Sequence, residues 1–188
     1  MLDRSERDFL LSLARKSIEH YLKSGRMLEL EPGDVPSKDL VEDGACFVTL
    51  HRGDDLRGCI GTLEAHRPLF KDVIENAVSS ATEDPRFYAL TLDELGEVRI
   101  SISVLSKPRP FKVKGEKDLL KRLIPEKHGL IIQKGVARAT FLPAVWEQLP
   151  RKEEFLAHLC MKAGLGPIEW KDTKSMEFFV YESEEFSE

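Results

Sequence analysis

From residue 5 to residue 24 apolar side chains return every three or four positions, with Phe9, Leu10, Leu13, Ala14, Ile18, Tyr21 and Leu22 on one face, which predicts an amphipathic helix. Ser5 with Asp8 resembles a capping box at its start, and Gly25 supplies a stop. The turn formers of EPGDVPSKD, residues 31–39, predict a connecting loop. The period then falls to two. ACFVTLH (45–51) and LRGCIGT (56–62) read as two strands joined through RGDD, a hairpin. Its register stays open: a three-residue loop sets Thr49 opposite Cys59 and His51 opposite Arg57, whereas two or four residues put Val48 and Leu50 in those places. Pro68 fits the first position of a second helix, whose wide apolar face (Leu69, Phe70, Val73, Ile74, Ala77, Val78) should cover the hairpin before Asp84-Pro85 ends it.

Further on, Thr91 to Leu95 reads as a short capped turn, and EVRISISVLS (97–106) as a strand alternating Val98, Ile100, Ile102 and Val104 with Arg99, Ser101 and Ser103. That polar side is either a wet sheet face or the lining of a cavity. Prolines at 108 and 110 break the chain. A short helix over 116–124, a hairpin in HGLIIQKGVARATFL turning near Lys134-Gly135, a helix over 153–163 stopped by Gly164, and a strand over 176–183 complete the pattern. Hairpins interrupted by helices, without a βαβ rhythm, predict an α+β fold: a mostly antiparallel sheet flanked by helices, one domain over 1–188 with room for a small subdomain.

Charge narrows the function. Acidic side chains number 33 against 28 basic, a net charge of -5, so no overall basic field attracts a phosphate backbone and nucleic acid is disfavoured as a partner. No apolar run approaches the roughly 20 residues that span a bilayer, and the charged first segment lacks the apolar core of a signal peptide. A cytoplasmic location without a membrane is expected. Cys46, Cys59 and Cys160 are odd in number and lack CxxC spacing, which points to reduced thiols, no structural zinc and no other metal or cofactor.

The stretch that carries candidate chemistry is DLRGCIGTLEAHRPL, residues 55–69. In an extended strand Arg57 and Cys59 share a face with Cα atoms roughly 7 Å apart. A guanidinium there, and a helix N-terminus near Pro68 if it points inward, would lower the thiol pKa and make Cys59 a candidate nucleophile. Gly58 and Gly61 would let a ligand reach the backbone amides, with Ile60 between them. In the competing reading Cys59 is a packed core residue, the glycines admit a helix close to the strand, and Arg57 is satisfied internally by Glu64, Asp84 or Glu94. His66, near the helix start, is the better-placed base, His51 enters only in the right register, and Arg86 of DPRF is a second candidate for an anion site. His158 and Cys160 diverge on their helix, and Trp146 and Trp170 read as core anchors.

FVTL at 47–50, LRGCIGTL at 56–63, DPRF at 84–87, ISVLS at 102–106, HGLII at 128–132, FLP at 141–143 and FLAHLCMKAGL at 155–165 occur in an order that resembles the AMMECR domain family across nearly the whole chain. The resemblance implies a two-part α+β cytoplasmic protein of archaea and bacteria, related to a larger eukaryotic one. It also implies association with a Memo-like protein and a radical-SAM protein. It carries the family's signature onto Arg57, Gly58, Cys59, Ile60 and Gly61 as a candidate site. Two functions from different classes follow: a small-molecule site, enzymatic or not, in which Cys59 supplies thiol chemistry and Arg57 orients an anionic ligand, or a non-catalytic adaptor docking onto a Memo-like or radical-SAM partner.

Overall fold

The structure, a computed structural model, describes residues 2–188. The chain forms two compact units, one running to Leu105 and completed by Glu184–Glu188, the other Ser106–Ser183. Each has its own hydrophobic core.

The first unit begins with helix α1 (Arg4–Ser24), capped by the reciprocal pair Asp3 and Glu6 rather than by Ser5 and Asp8, and ended by Gly25 at φ 70°. Asp3 wins because its carboxylate reaches the Glu6 amide while Glu6 returns to the Asp3 amide, satisfying two otherwise orphaned donors. Strands β1 (Ala45–Arg52) and β2 (Asp55–Gly61) form the expected hairpin, followed by α2 (Leu69–Thr82), the capped α3 (Leu92–Leu95) and β3 (Val98–Leu105). The sheet order is β2-β1-β3-β8, where β8 (Ser183–Ser187) is a last strand that sequence patterning passes over. Within SEEFS only Phe186 is apolar, so the period-two signal is too thin to read. Charges fasten this end instead: Arg7 pairs with Glu184 at 2.6 Å, and Arg15 donates to Glu188 and to the Leu95 and Val98 carbonyls.

One sheet face, with Val48, Leu50, Ile100 and Ile102, is fully buried in the same core as Leu10 and Ile18 of α1 and Phe70 and Val73 of α2. Burying each such side chain contributes roughly 1.5–3 kcal/mol, so this contact holds the helices on the sheet. In α2 the buried face also carries Asp72, Asn76 and Ser80, four residues apart and therefore one polar stripe inside an apolar surface. Asp72 accepts from the Cys46 amide, the Thr62 hydroxyl, Arg67 Nε and Asn76 Nδ2 at 2.8–2.9 Å, and Asn76 donates to the Cys46 carbonyl. These bonds satisfy groups that burial would otherwise leave costly, and they clamp the start of α2 to the start of β1.

The second unit holds β4 (Arg109–Pro110), α4 (Glu116–Arg122), β5 (Gly129–Lys134), β6 (Ala137–Phe141), α5 (Lys152–Lys162) and β7 (Glu177–Tyr181), with sheet order β4-β7-β5-β6 and antiparallel pairs throughout. Trp146 stacks on Phe155 of α5 at 3.7 Å and donates its indole N–H to the His128 carbonyl, so both tryptophans are core anchors, Trp170 being buried as well. The architecture is α+β on antiparallel sheets.

Candidate functional site

The hairpin register decides which side chains can act together. β1 pairs with β2 as Arg52↔Asp55 and His51↔Leu56, then shifts to Leu50↔Gly58, Thr49↔Cys59 and Phe47↔Gly61. Gly53-Asp54 is thus a two-residue turn, and Arg57 is the extra residue of a bulge. The bulge restores Thr49 opposite Cys59, as a three-residue loop would have done, but sets His51 against Leu56. It also cancels the simple alternation that predicts a shared face for Arg57 and Cys59.

On the face away from the helices, β1 presents Phe47, Thr49 and His51, and β3 presents Ser103, Ser101 and Arg99 directly opposite them. Cys59, Thr49 and Ser101 therefore form one cross-strand row, where facing Cβ atoms stand about 4.5–5.5 Å apart. Thr49 Oγ1 lies 3.0 Å from the half-buried Cys59 sulfur, a hydrogen bond between hydroxyl and thiol. His51, half-buried on the same face, has a buried Nδ1 without a hydrogen-bond partner. Burial pushes the Cys59 thiol pKa up; the Thr49 bond and the charge of Arg86 pull it down without prevailing, while Asp84 and Glu185 add to the rise.

The outer edge of β2 is closed by the DPRF turn. The buried Asp84 carboxylate accepts the Cys59 N–H at 2.8 Å, and Arg86 donates to the Cys59 carbonyl at 3.5 Å. Arg86 also grips both Asp84 oxygens, at 2.9 and 2.6 Å. These bonds hold the Asp84 carboxyl well below the usual carboxylate range, Arg86 contributing most. Asp84 thereby does for the strand edge what a neighbouring strand would do. Sequence reading names Asp84 only as a helix stop and a partner for Arg57; the signal for its real position is an acidic residue at the end of a helix that packs on an edge strand.

The glycines are occupied by the chain itself. A Cβ on Gly58 would stand 2.1 Å from the Ser80 carbonyl oxygen, and one on Gly61 would meet the Phe47 ring at 2.2 Å and the Cys46 carbonyl at 2.6 Å. Ile60 lies opposite the buried Val48, on the helix side and away from the Cys59 thiol. Helix α2 folds back along β2, so its C-terminal turn, not its N-terminus, rests beside Cys59. The expected pull of a helix N-terminus on the thiol is corrected accordingly, because that end is engaged with Cys46 and Thr62 through Asp72.

Arg57, mostly buried, donates to the Tyr88 carbonyl at 3.0 Å and pairs with Glu94 at 3.3 Å, one of the three internal partners considered for it. Glu94 is held below its usual pKa chiefly by the Thr91 amide, with Arg57 adding to it. His66 is exposed and donates Nδ1–H to the Glu64 carbonyl, two residues back in its own loop. Among the described residues no cluster of three or more His, Cys, Asp or Glu side chains could hold a metal ion. Among the described residues no helix is long and apolar enough to cross a membrane.

Comparison with known proteins gives a consistent relationship along the chain. The AMMECR1 family model matches residues 11–186. Protein MK0488 of Methanopyrus kandleri is 38% identical over 195 residues, covering 100% of this chain and 90% of the relative. Protein MJ0810 of Methanocaldococcus jannaschii is 37% identical over 195 residues, covering 100% and 92%. The crystal structure of uncharacterized protein PH0010 from Pyrococcus horikoshii matches with a TM-score of 0.83 at 36% identity, covering 100% of this chain and 93% of that one.

Proposed function

This chain belongs to the AMMECR1 family, and we propose that it works through a small-molecule site on the Cys59 face of its first sheet, with Cys59 supplying thiol chemistry. The observation that carries the reading is the Thr49↔Cys59 register, which gathers a thiol, two hydroxyls (Thr49 and Ser101) and the unpartnered His51 Nδ1 on one face. Cys59 is a protonated thiol near neutral pH, oriented by Thr49, and His51 is the imidazole that the same face carries two residues along β1 from Thr49. Arg57 serves as a positioning residue, because Glu94 and the Tyr88 carbonyl already use its guanidinium. The cation left for an anionic ligand is Arg99, exposed opposite His51 and without an ion pair among the described residues.

The test compares two small electrophiles on the folded protein, anionic iodoacetate and neutral iodoacetamide, with the modified cysteine located by peptide mass mapping. Cys59 should prefer iodoacetate more than free cysteine does, and Arg99→Gln should abolish the preference. A preference no greater than that of free cysteine, or one indifferent to Arg99→Gln, removes the anionic-ligand reading.

One observation favours the adaptor reading for a different surface. Tyr88 is 95% exposed, and its carbonyl is tied through Arg57 to α3, which presents the exposed Leu92. A held, exposed aromatic flanked by aliphatic residues has the composition of a protein-binding hot spot, here for a Memo-like or radical-SAM partner. Tyr88→Ala should weaken such a complex and leave Cys59 modification unchanged; equal binding by the variant excludes this surface.

A further inference from the structure

A groove of the first unit lies away from Cys59. The end of α1, the segment 27–31 and the outer stripe of α2 enclose a groove of about 700 Å³. Its apolar lining residues are Tyr21, Leu28 and Leu30, with Ile74 and Val78 buried beneath them. Met27 stands 37% exposed beside them, a flexible side chain suited to an adaptable binding surface. The rim is acidic, with Glu29, Glu31, Glu75 and Glu83 against the single Lys71. Glu75 is answered by Arg67. Glu29, Glu31 and Glu83 have no ion pair or hydrogen-bond partner for their carboxylates among the described residues.

The backbone supplies a second, independent feature. In MLELE, Leu28 and Leu30 pack against the core while Met27, Glu29 and Glu31 are exposed, the alternation of a strand. Yet the segment belongs to no sheet, and the backbone groups of residues 27–30 make no hydrogen bond among the described residues. A row of unpaired N–H and C=O groups beside an apolar floor is a template for an added strand.

We propose that this groove binds an extended cationic peptide segment of a partner protein. The peptide adds as a strand along residues 27–31, sets alternate apolar side chains on the Leu28, Leu30, Ile74 and Val78 floor, and places lysine or arginine against Glu29, Glu31 and Glu83. The three uncompensated carboxylates select the positive charge, and the unpaired backbone selects a peptide over a simple polyamine, which has no main-chain acceptors to offer. The groove shares no residue with the Cys59 face, so the two proposals fail separately.

The probes are a fluorescein-labelled peptide of alternating lysine and valine, its glutamate-valine counterpart, an N-methylated lysine-valine peptide, and spermine. Anisotropy should show saturable, salt-sensitive binding of the lysine-valine peptide alone, with amide exchange slowed at residues 27–31. The variant Glu29→Lys/Glu31→Lys/Glu83→Lys alters only exposed residues, and its unchanged thermal unfolding would confirm an intact fold. It should weaken binding by at least about tenfold, as close charge pairs do at interfaces. The proposal is overturned if the lysine-valine peptide does not bind, if the N-methylated peptide or spermine binds as well, if the triple variant binds equally, or if exchange at 27–31 is unchanged.

Discussion

The carbonyl oxygen of Ser80 occupies the place a side chain of Gly58 would need, 2.1 Å from an ideal Cβ. The last turn of α2 therefore rests on the backbone of the residue before Cys59. A backbone atom in a buried helix cannot swing aside, so Gly58→Ala should cost about 3 kcal/mol, at the upper end of overpacking penalties. Gly33→Ala, with nothing within 4 Å of its Cβ, should stay within about 0.5 kcal/mol of wild type. Urea denaturation of the two variants checks the contrast.

Asp84→Ala removes the acceptor of the Cys59 amide and the partner of Arg86, and should cost about 2–3 kcal/mol at neutral pH. The figure stays below that for a fully buried pair because Arg86 is half exposed and screened by solvent. Since the folded-state pKa of Asp84 is depressed, its contribution is fully present above the unfolded carboxyl pKa of about 4 and is lost as pH falls through the lower folded value. The stability gap between wild type and Asp84→Ala should narrow steadily on acidification below about pH 4. A gap that is constant with pH would show that Asp84 acts without its charge.

The Asp72 carboxylate is fully buried and accepts four hydrogen bonds, Arg67 among the donors. Asp72→Ala should cost about 3 kcal/mol, because it leaves the buried Cys46 amide without an acceptor and takes the Asp72 half of the Arg67 pairing, Glu75 remaining. Asn76→Ala should cost about 1–3 kcal/mol. A double-mutant cycle should give a coupling of at least about 0.5 kcal/mol, since both side chains serve Cys46.

The helices α1, α2, α4 and α5 and all strands but two could be read from periodicity, because apolar positions such as Val98, Ile100 and Ile102 face cores in strict alternation, whereas the four-residue α3 reads only as a capped turn. The exceptions, β4 and β8, carry two residues or one apolar side chain, and long-range pairing makes them strands. At the candidate site the sequence shows Cys59 and its glycines but not their geometry. A single bulge at Arg57 cannot be seen in composition, yet it moves Arg57 toward Glu94 and brings Thr49 to the thiol. The clamp from Asp84 was equally hidden, since it depends on α2 folding back over β2. The polar stripe Asp72, Asn76 and Ser80 goes unmarked when α2 is read for its apolar face alone, and it is the structure that gives it partners.

The pH dependence of Cys59 modification by iodoacetamide in the folded protein tests most directly whether this thiol is reachable and protonated. Cys59 should react while the buried Cys46 and Cys160 stay protected, with the midpoint of its rate profile above the pH of about 8.5 at which an ordinary cysteine is half ionised. Protection of Cys59 equal to that of the other two until the chain unfolds, or a midpoint at or below that pH, would contradict the account.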